Sequence, residues 1–135
     1  LTHSDVGRAQ LVRASLESAA FAIKANVEQI EDIAGVQSHG VTVGGGMTRT
    51  ATWAQVLADV LGREIAVSHD ANVSAAGASL CGWTALGDYS SLSEAAGARC
   101  GTVRAIEPDP VASSDYQELY EQWTERFQGL REFQV

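Results

Sequence analysis

The sequence predicts an α/β fold that is rich in helix and has only two or three strands. Residues 41–43 and 64–68 are short and rich in β-branched residues, which is typical of strands. The segment between them has apolar residues at helical spacing, and a strand, a helix and a strand of this length favour parallel pairing. Long apolar stripes near both ends of the chain predict the other main helices.

Composition limits the class of protein. The 135 residues fit one domain, and a hydrophobic content of 45% is enough for a core. A net charge of −8, with nine scattered Lys and Arg, argues against nucleic-acid binding, which needs clustered basic residues. The sequence contains no apolar run of about 18 residues, the length needed to span a membrane.

Cys81 and Cys100 lack CxxC spacing, so we expect a cytoplasmic location. Because the chain begins at Leu1, we also expect it to be a piece of a longer protein.

The first helix is predicted to run from about Val6 to Ala34, where Gly35 is suited to end it. Thr2, Ser4 and Asp5 are candidates to cap its start. An apolar stripe at helical spacing supports the whole length. It consists of Val12, Leu16, Ala19, Ala20, Ile23, Val27 and Ile30.

Residues 41–61 predict a strand, a glycine turn and a second helix. Residues 41–43 are expected to form a buried strand that ends at Gly44, Gly45 and Gly46. Glycine allows positive φ and leaves no Cβ to hold a flat ligand away from the main chain, while a helix start offers unpaired N–H groups. Such a turn is suited to a nucleotide.

The second helix has a clear apolar face, formed by Trp53, Val56, Leu57, Val60 and Leu61. Thr52 and Gln55 have the spacing of a capping box, so the helix is expected to begin at Thr52, or at Thr50 if the loop is tighter. Gly62 is expected to end it. Asp59 is placed on its polar side, as a solvated or capping carboxylate.

Later elements are predicted in the same way. Residues 73–86 are predicted to form a helix of mostly small residues. A glycine inside a helix is unfavourable, so the presence of Gly77 is best explained if another backbone packs closely against it. A capping box at Ser91 and Glu94 opens a short helix, and residues 101–106 form a third strand. The last helix is expected to be capped by Ser114 and Gln117. Its apolar face consists of Tyr116, Leu119, Tyr120, Trp123, Phe127 and Leu130.

The glycine turn matches neither common phosphate-binding motif. The third glycine of a dinucleotide fingerprint would fall at Arg49, and the Gly-Lys-Ser/Thr of a P-loop is absent. Spacing alone therefore leaves two readings open: a turn without a ligand, or a nucleotide contact. His3, His39 and His69 lack zinc-ligand spacing, so no metal site is predicted. The adjacent residues 68–70 do not make a catalytic triad.

Several segments resemble the FGGY carbohydrate kinases, a family that includes xylulokinases and glycerol kinases. Residues 43–50 and 53–62 resemble the family's adenosine-binding segment. Residues 13–17 are similar to its Arg-Ala-x-x-Glu stretch, and residues 75–79 to its Ala-Leu-Gly-Ala-Ala helix. The last helix, with its aromatic residues, resembles the family's C-terminal ending. Order and spacing agree across essentially the whole chain.

This resemblance implies a ribonuclease-H-like fold, shared with actin and the heat-shock ATPases. Residues 1–135 would be the C-terminal part of the second, nucleotide-binding domain of a kinase that uses ATP and Mg²⁺. Gly44, Gly45, Gly46 and Thr50 would be the cofactor-binding residues. Gly45 and Gly46 would lie against the adenosine and the α-phosphate, and Thr50 falls where the family has Ser or Asn on the nucleotide. The helix around Gly77 would connect the two domains.

The chain departs from the family pattern at Asn72, where Glu is usual, and at Ala76, where Leu is usual. The family's catalytic aspartate, phosphate-binding loop and sugar pocket lie upstream of the matched region. We therefore expect no catalytic residue here, weak or no ATP binding and no kinase activity for the isolated chain.

Two function hypotheses follow from these features. The first is the nucleotide-binding part of a carbohydrate kinase, whose partners are ATP or ADP and a sugar or polyol bound mainly upstream. The alternative is a non-catalytic binding or assembly module without a usable nucleotide site. Because strands that complete the sheet would be missing, an uncovered sheet edge and face are expected to favour homo-oligomers.

Overall fold

The computed structural model describes residues 7–38, 40–69, 72–99, 101 and 103–132, with the side chains of residues 128 and 130–132 excepted. The predicted α/β class and high helix content are confirmed. Three strands form one sheet, and most of the remaining chain is helical. The helices are α1 (Arg8–Ala34), α2 (Ala51–Leu61), α3 (Val73–Leu86), α4 (Leu92–Arg99) and α5 (Pro110–Glu132), and the strands are β1 (Val41–Val43), β2 (Ile65–Ser68) and β3 (Val103–Ile106).

The sheet has the order β1-β2-β3. β1 pairs with β2 in parallel, with Val41 opposite Ile65, which confirms the predicted crossover through α2. β3 pairs with β2 in the antiparallel direction, with Ile106 opposite Ile65. Since β1 lies at the edge, Val41 and Val43 are only half-buried and Thr42 is exposed. The prediction of a buried strand at residues 41–43 is therefore wrong in this chain.

The core is built around α2. Eight of the eleven residues of this helix are buried, including the whole predicted apolar face. α1 and α5 pack against α2, and β2 contributes Ile65 and Val67 to the core. The buried residues of this hydrophobic core are, among those described, Ala20, Phe21, Trp53, Ala54, Val56, Leu57, Ala58, Val60, Leu61, Ile65, Val67, Tyr116 and Tyr120.

The first helix follows the predicted length but buries a narrower stripe. Val12 is 61% exposed and Ile30 is 65% exposed, so only the middle of the predicted stripe reaches the core. Phe21 and Lys24 are buried instead. Lys24 is compatible with this position because its Nζ donates to Gln117 Oε1 at 2.8 Å and lies 4.6 Å from the centre of the Tyr120 ring. The predicted caps at Thr2, Ser4 and Asp5 lie outside the described residues.

Glycines end α1 and α2 as predicted, and a glycine also follows α3. Gly35, Gly62 and Gly87 follow α1, α2 and α3 and have φ of 65°, 64° and 85°, which is the left-handed region that side chains disfavour. The starts differ more from prediction. Thr50 directly precedes α2, which agrees with the alternative start, but its side chain makes no capping bond. Gln55 donates to Asp59 Oδ1 at 2.9 Å. The capping box at Thr52 and Gln55 is therefore wrong.

The last helix begins four residues before the predicted cap at Ser114. Asp109 Oδ1 accepts the backbone N–H groups of Val111 and Ala112, each at 2.9 Å, so Asp109 caps α5. At α4 the prediction is confirmed in part: Ser91 Oγ accepts the N–H of Glu94 at 3.2 Å. The Glu94 carboxylate, however, bonds to Ser90, one residue before the predicted partner.

α3 has the predicted bounds but not the predicted packing. None of its residues is buried, and a Cβ added at Gly77 would meet no atom of the described residues within 4 Å. α3 packs mainly on α4, where the Arg99 guanidinium lies 4.7 Å from the centre of the Trp83 ring. Gly77 is therefore not a contact point between backbones in this chain.

Candidate functional site

The glycine loop lies at the carboxyl ends of the two parallel strands. β1 ends at Val43 and β2 at Ser68, so the segments that begin at Gly44 and His69 leave the sheet at the same edge. A Cβ at Gly44 would lie 3.5 Å from Ser68 Cβ, which shows how close the two segments are. In open α/β sheets this edge is where ligands bind.

The three predicted glycines serve different structural needs. A Cβ at Gly44 would lie 2.6 Å from Val73 Cγ1, so Gly44 allows the loop to pack against the start of α3. Gly45 has φ of 108°, a conformation that other residues rarely adopt. Gly46 has neither feature: within 4 Å of its added Cβ there is no atom of the described residues. Only at Gly46 does the described structure give no internal reason for glycine.

A short 3₁₀ turn, Gly46–Arg49, joins the glycines to α2 and was not predicted. Thr48 holds it, because its N–H and Oγ1 donate to Gly45 O at 3.2 and 2.8 Å. Thr50 follows, and its N–H donates to Met47 O at 3.3 Å. The Thr50 side chain is exposed and makes no capping bond, so its hydroxyl is accessible to a ligand beside the glycine loop.

A groove of about 320 Å³ opens beside this turn. We call it the arginine groove; its lining residues are Thr48, Arg49, Val67, Ser68, His69 and Arg104. Arg104 reaches it from β3, where it pairs with Val67. No local spacing in the sequence links Arg104 to the glycine loop, since only the sheet register brings positions 49 and 104 together.

A larger groove of about 750 Å³ runs along α3 and α4 and shares Ser68 with the arginine groove. Its lining includes Val73, Gly77, Leu80, Trp83 and Arg99, and none of Gly45, Gly46 or Thr50. The larger cavity is therefore not the predicted site.

Within the described ranges, His, Cys, Asp and Glu side chains form no group of three that could hold a metal ion. The helices in those ranges are too short or too polar to cross a bilayer.

Comparison with known proteins identifies the family. A model described as the FGGY family of carbohydrate kinases, C-terminal domain, matches residues 2–86, which is more than half of the chain. The chain belongs to the FGGY family. It is 32% identical over 124 residues to the autoinducer-2 kinase of Salmonella paratyphi B, a match that covers 92% of this chain and 23% of that protein.

Solved structures of sugar kinases share the fold of this FGGY-family chain. The xylulose kinase of Rhodospirillum rubrum superposes with a TM-score of 0.77 at 28% identity, over 98% of this chain and 27% of that protein. The glycerol kinase of Plasmodium falciparum, solved with ADP, superposes with a TM-score of 0.67 at 24% identity, over 93% of this chain and 25% of that protein. The fold is thus ribonuclease-H-like, as the resemblance implied. The chain spans about a quarter of the length of these relatives.

Proposed function

We propose that this chain is the nucleotide-binding part of an ATP-dependent carbohydrate kinase of the cytoplasm. The complete enzyme would phosphorylate a hydroxyl group of a sugar or polyol. Residues 1–135 would be the C-terminal part of its second domain, and the short coverage of the kinase relatives supports this division. Membership of the carbohydrate kinase family supports the reaction class.

The observation that carries the proposal is the open backbone at Gly45 and Gly46. No atom of the described residues lies within 4 Å of a Cβ added at either glycine, at the sheet edge that is favoured for ligands. A flat adenosine could lie directly against this main chain, and Thr50 could donate or accept a hydrogen bond at its border. Gly44 would contribute indirectly, because it lets the loop pack against Val73.

These residues would position the nucleotide rather than carry out the chemistry. In phosphoryl transfer a bond forms between the acceptor hydroxyl oxygen and the γ-phosphorus, and the bond from that phosphorus to the leaving ADP oxygen breaks. The reaction depends on alignment, on charge stabilisation at the γ-phosphate and on a base that takes the hydroxyl proton. We propose that this base, the phosphate-binding loop and the sugar pocket lie upstream of residue 1. Magnesium would enter with ATP, since the described residues offer no cluster to hold it.

A kinase assay on two proteins tests the proposal. The complete gene product should convert MgATP to ADP in the presence of a suitable member of a sugar and polyol panel. The isolated 135-residue chain should transfer no phosphate, because it lacks the groups that position the acceptor. Sugar phosphorylation by the isolated chain would contradict the proposed division. A complete gene product that neither binds nucleotide nor consumes ATP would favour the alternative, a binding or assembly module without a nucleotide site.

A further inference from the structure

The arginine groove is lined by two arginines that have no acidic partner among the described residues. Arg49 and Arg104 both line it, and neither makes a hydrogen bond or an ion pair within the part of the chain that the structure describes. Two other arginines, Arg13 and Arg63, each bind a glutamate, at 2.6 and 2.7 Å. Two unpaired cations in one concave surface therefore need an explanation.

The fold, and not local sequence, creates this pair. Arg49 ends the 3₁₀ turn, while Arg104 lies on β3 opposite Val67, one residue before β2 ends. Cross-strand partners point to the same face of a sheet, so the Arg104 side chain lies on the face of the buried Val67, at the open end of that face. Both arginines thus line one groove beside the edge from which the glycine loop departs.

The groove is basic although the protein is acidic. The chain has a net charge of −8, yet none of the six lining residues that the structure describes is Asp or Glu. Two like charges that line one groove repel each other, so an anion bound between them would relieve the repulsion. Arginine is well suited to this role because its planar fork can donate two parallel hydrogen bonds to phosphate oxygens.

We propose that Arg49 and Arg104 together bind a phosphate anion in the arginine groove. A volume of about 320 Å³ lies at the small end of the range of ~300–1,000 Å³ that is usual for ligand pockets, which favours a compact anion such as a diphosphate. The phosphate could be that of a bound nucleotide or that of a separate phosphorylated compound. Only the nucleotide source rests on the function proposed above.

A titration of the 135-residue chain with inorganic pyrophosphate, followed by two-dimensional NMR, tests this site. We expect saturable shifts at Arg49, His69 and Arg104 that weaken as salt is added, because exposed charges are screened. Arg104→Ala should raise the Kd for pyrophosphate about tenfold, the value of a lost charge-assisted bond pair. The Kd of Arg104→Lys should lie between those of the wild type and Arg104→Ala, since lysine keeps the charge but lacks the planar guanidinium.

Arg126→Ala is the matched control. Arg126 is exposed on α5, lies outside the arginine groove and has no ion-pair partner within the described residues. It should therefore leave the Kd for pyrophosphate unchanged. The proposal is overturned if the shifts do not saturate, or if Arg49→Ala and Arg104→Ala affect the Kd no more than Arg126→Ala does.

Competition in the complete gene product identifies the source of the phosphate. If ADP displaces pyrophosphate and both depend on Arg104, the nucleotide supplies the phosphate. If ADP binds while pyrophosphate stays bound at Arg104, the natural occupant is a separate phosphorylated compound. Adenosine binding separates the two proposals. If adenosine binds but Arg49→Ala and Arg104→Ala leave the Kd for pyrophosphate unchanged, only the arginine site is overturned. If the Kd for pyrophosphate depends on these arginines but adenosine does not bind, only the proposed function is overturned.

Discussion

The buried carboxylate of Asp59 in α2 accepts the backbone N–H of Asp109 at 2.8 Å, immediately before α5 begins. The same oxygen accepts Gln55 Nε2 at 2.9 Å. Asp109 in turn caps α5 through the N–H groups of Val111 and Ala112. A continuous chain of hydrogen bonds thus joins the helix that follows the glycine loop to the start of the last helix.

Replacing Asp59 should destabilise the protein. Asp59→Ala leaves the Asp109 N–H without its acceptor, and a buried unpaired donor costs about 1–3 kcal/mol. The Gln55 amide keeps its bond to Glu107 O at 3.0 Å. Chemical denaturation should show a fall of this size in the free energy of unfolding. Asp115→Ala is the control, because Asp115 is exposed on α5. Its free energy of unfolding should differ from that of the wild type by no more than about 0.5 kcal/mol. Equal effects of the two variants would show that the bond to Asp109 contributes nothing.

Gly44 should be required for packing. In Gly44→Ala the new methyl would lie 2.6 Å from Val73 Cγ1, so the loop or α3 must move, at a cost of about 1–3 kcal/mol. Gly40→Ala, at the other end of β1, meets no described atom within 4 Å and should change little. Thermal unfolding of the two variants compares them directly. A Gly44→Ala variant as stable as the wild type would rule out the close approach to α3.

Gly77 should be replaceable in this chain. It lies inside α3 and its added Cβ meets open space, so Gly77→Ala should raise the free energy of unfolding by about 0.5–1 kcal/mol through helix propensity. The sequence-based hypothesis of a backbone contact at Gly77 expects a loss of stability instead. Denaturation of the variant separates the two expectations by sign.

Acid should weaken the link between α1 and the segment after α2. The Arg63 guanidinium, with help from Ser38, lowers the pKa of Glu31 from 4.5 to about 2. Because the pKa is lower in the folded state, this stabilisation is complete above about pH 4.5 and is lost as the pH falls toward 2. NMR titration of the Glu31 carboxyl group should show the low pKa.

The effect depends on Arg63. In Arg63→Ala the pKa of Glu31 should move back toward 4.5, because its main hydrogen-bond donor is gone. Arg126→Ala, remote from this pair, should leave the Glu31 titration as it is in the wild type. If the Glu31 pKa did not respond to Arg63→Ala, the ion pair would not be the cause of the shift.

Local patterns predicted the elements well where local physics determines them. The ends of α1 and α2 follow from Gly35 and Gly62, whose positive φ ends a helix whatever surrounds it. The parallel pairing of β1 with β2 follows from the length of the connection. The apolar face of α2 is buried as its spacing predicts.

Features that depend on distant partners were not predictable in the same way. Asp59 has the sequence surroundings of a surface carboxylate, and only the approach of Asp109, fifty positions later, makes its burial favourable. The cap at Asp109 precedes Pro110, a residue that suits the first turn of a helix, and lies five residues before the predicted cap at Ser114. Arg104 enters the arginine groove through strand register alone.

The affinity of the complete gene product for ADP, measured by calorimetry with Gly46→Val, tests the central claim most directly. At Gly46 the described structure gives no packing or φ reason for glycine, so a valine there should preserve the fold and obstruct only a ligand. Gly40→Val, equally open but at the opposite edge of the sheet, is the matched control. The account predicts that Gly46→Val weakens ADP binding by about tenfold or more while Gly40→Val has no effect. Unchanged ADP affinity in a folded Gly46→Val protein would contradict the adenosine site.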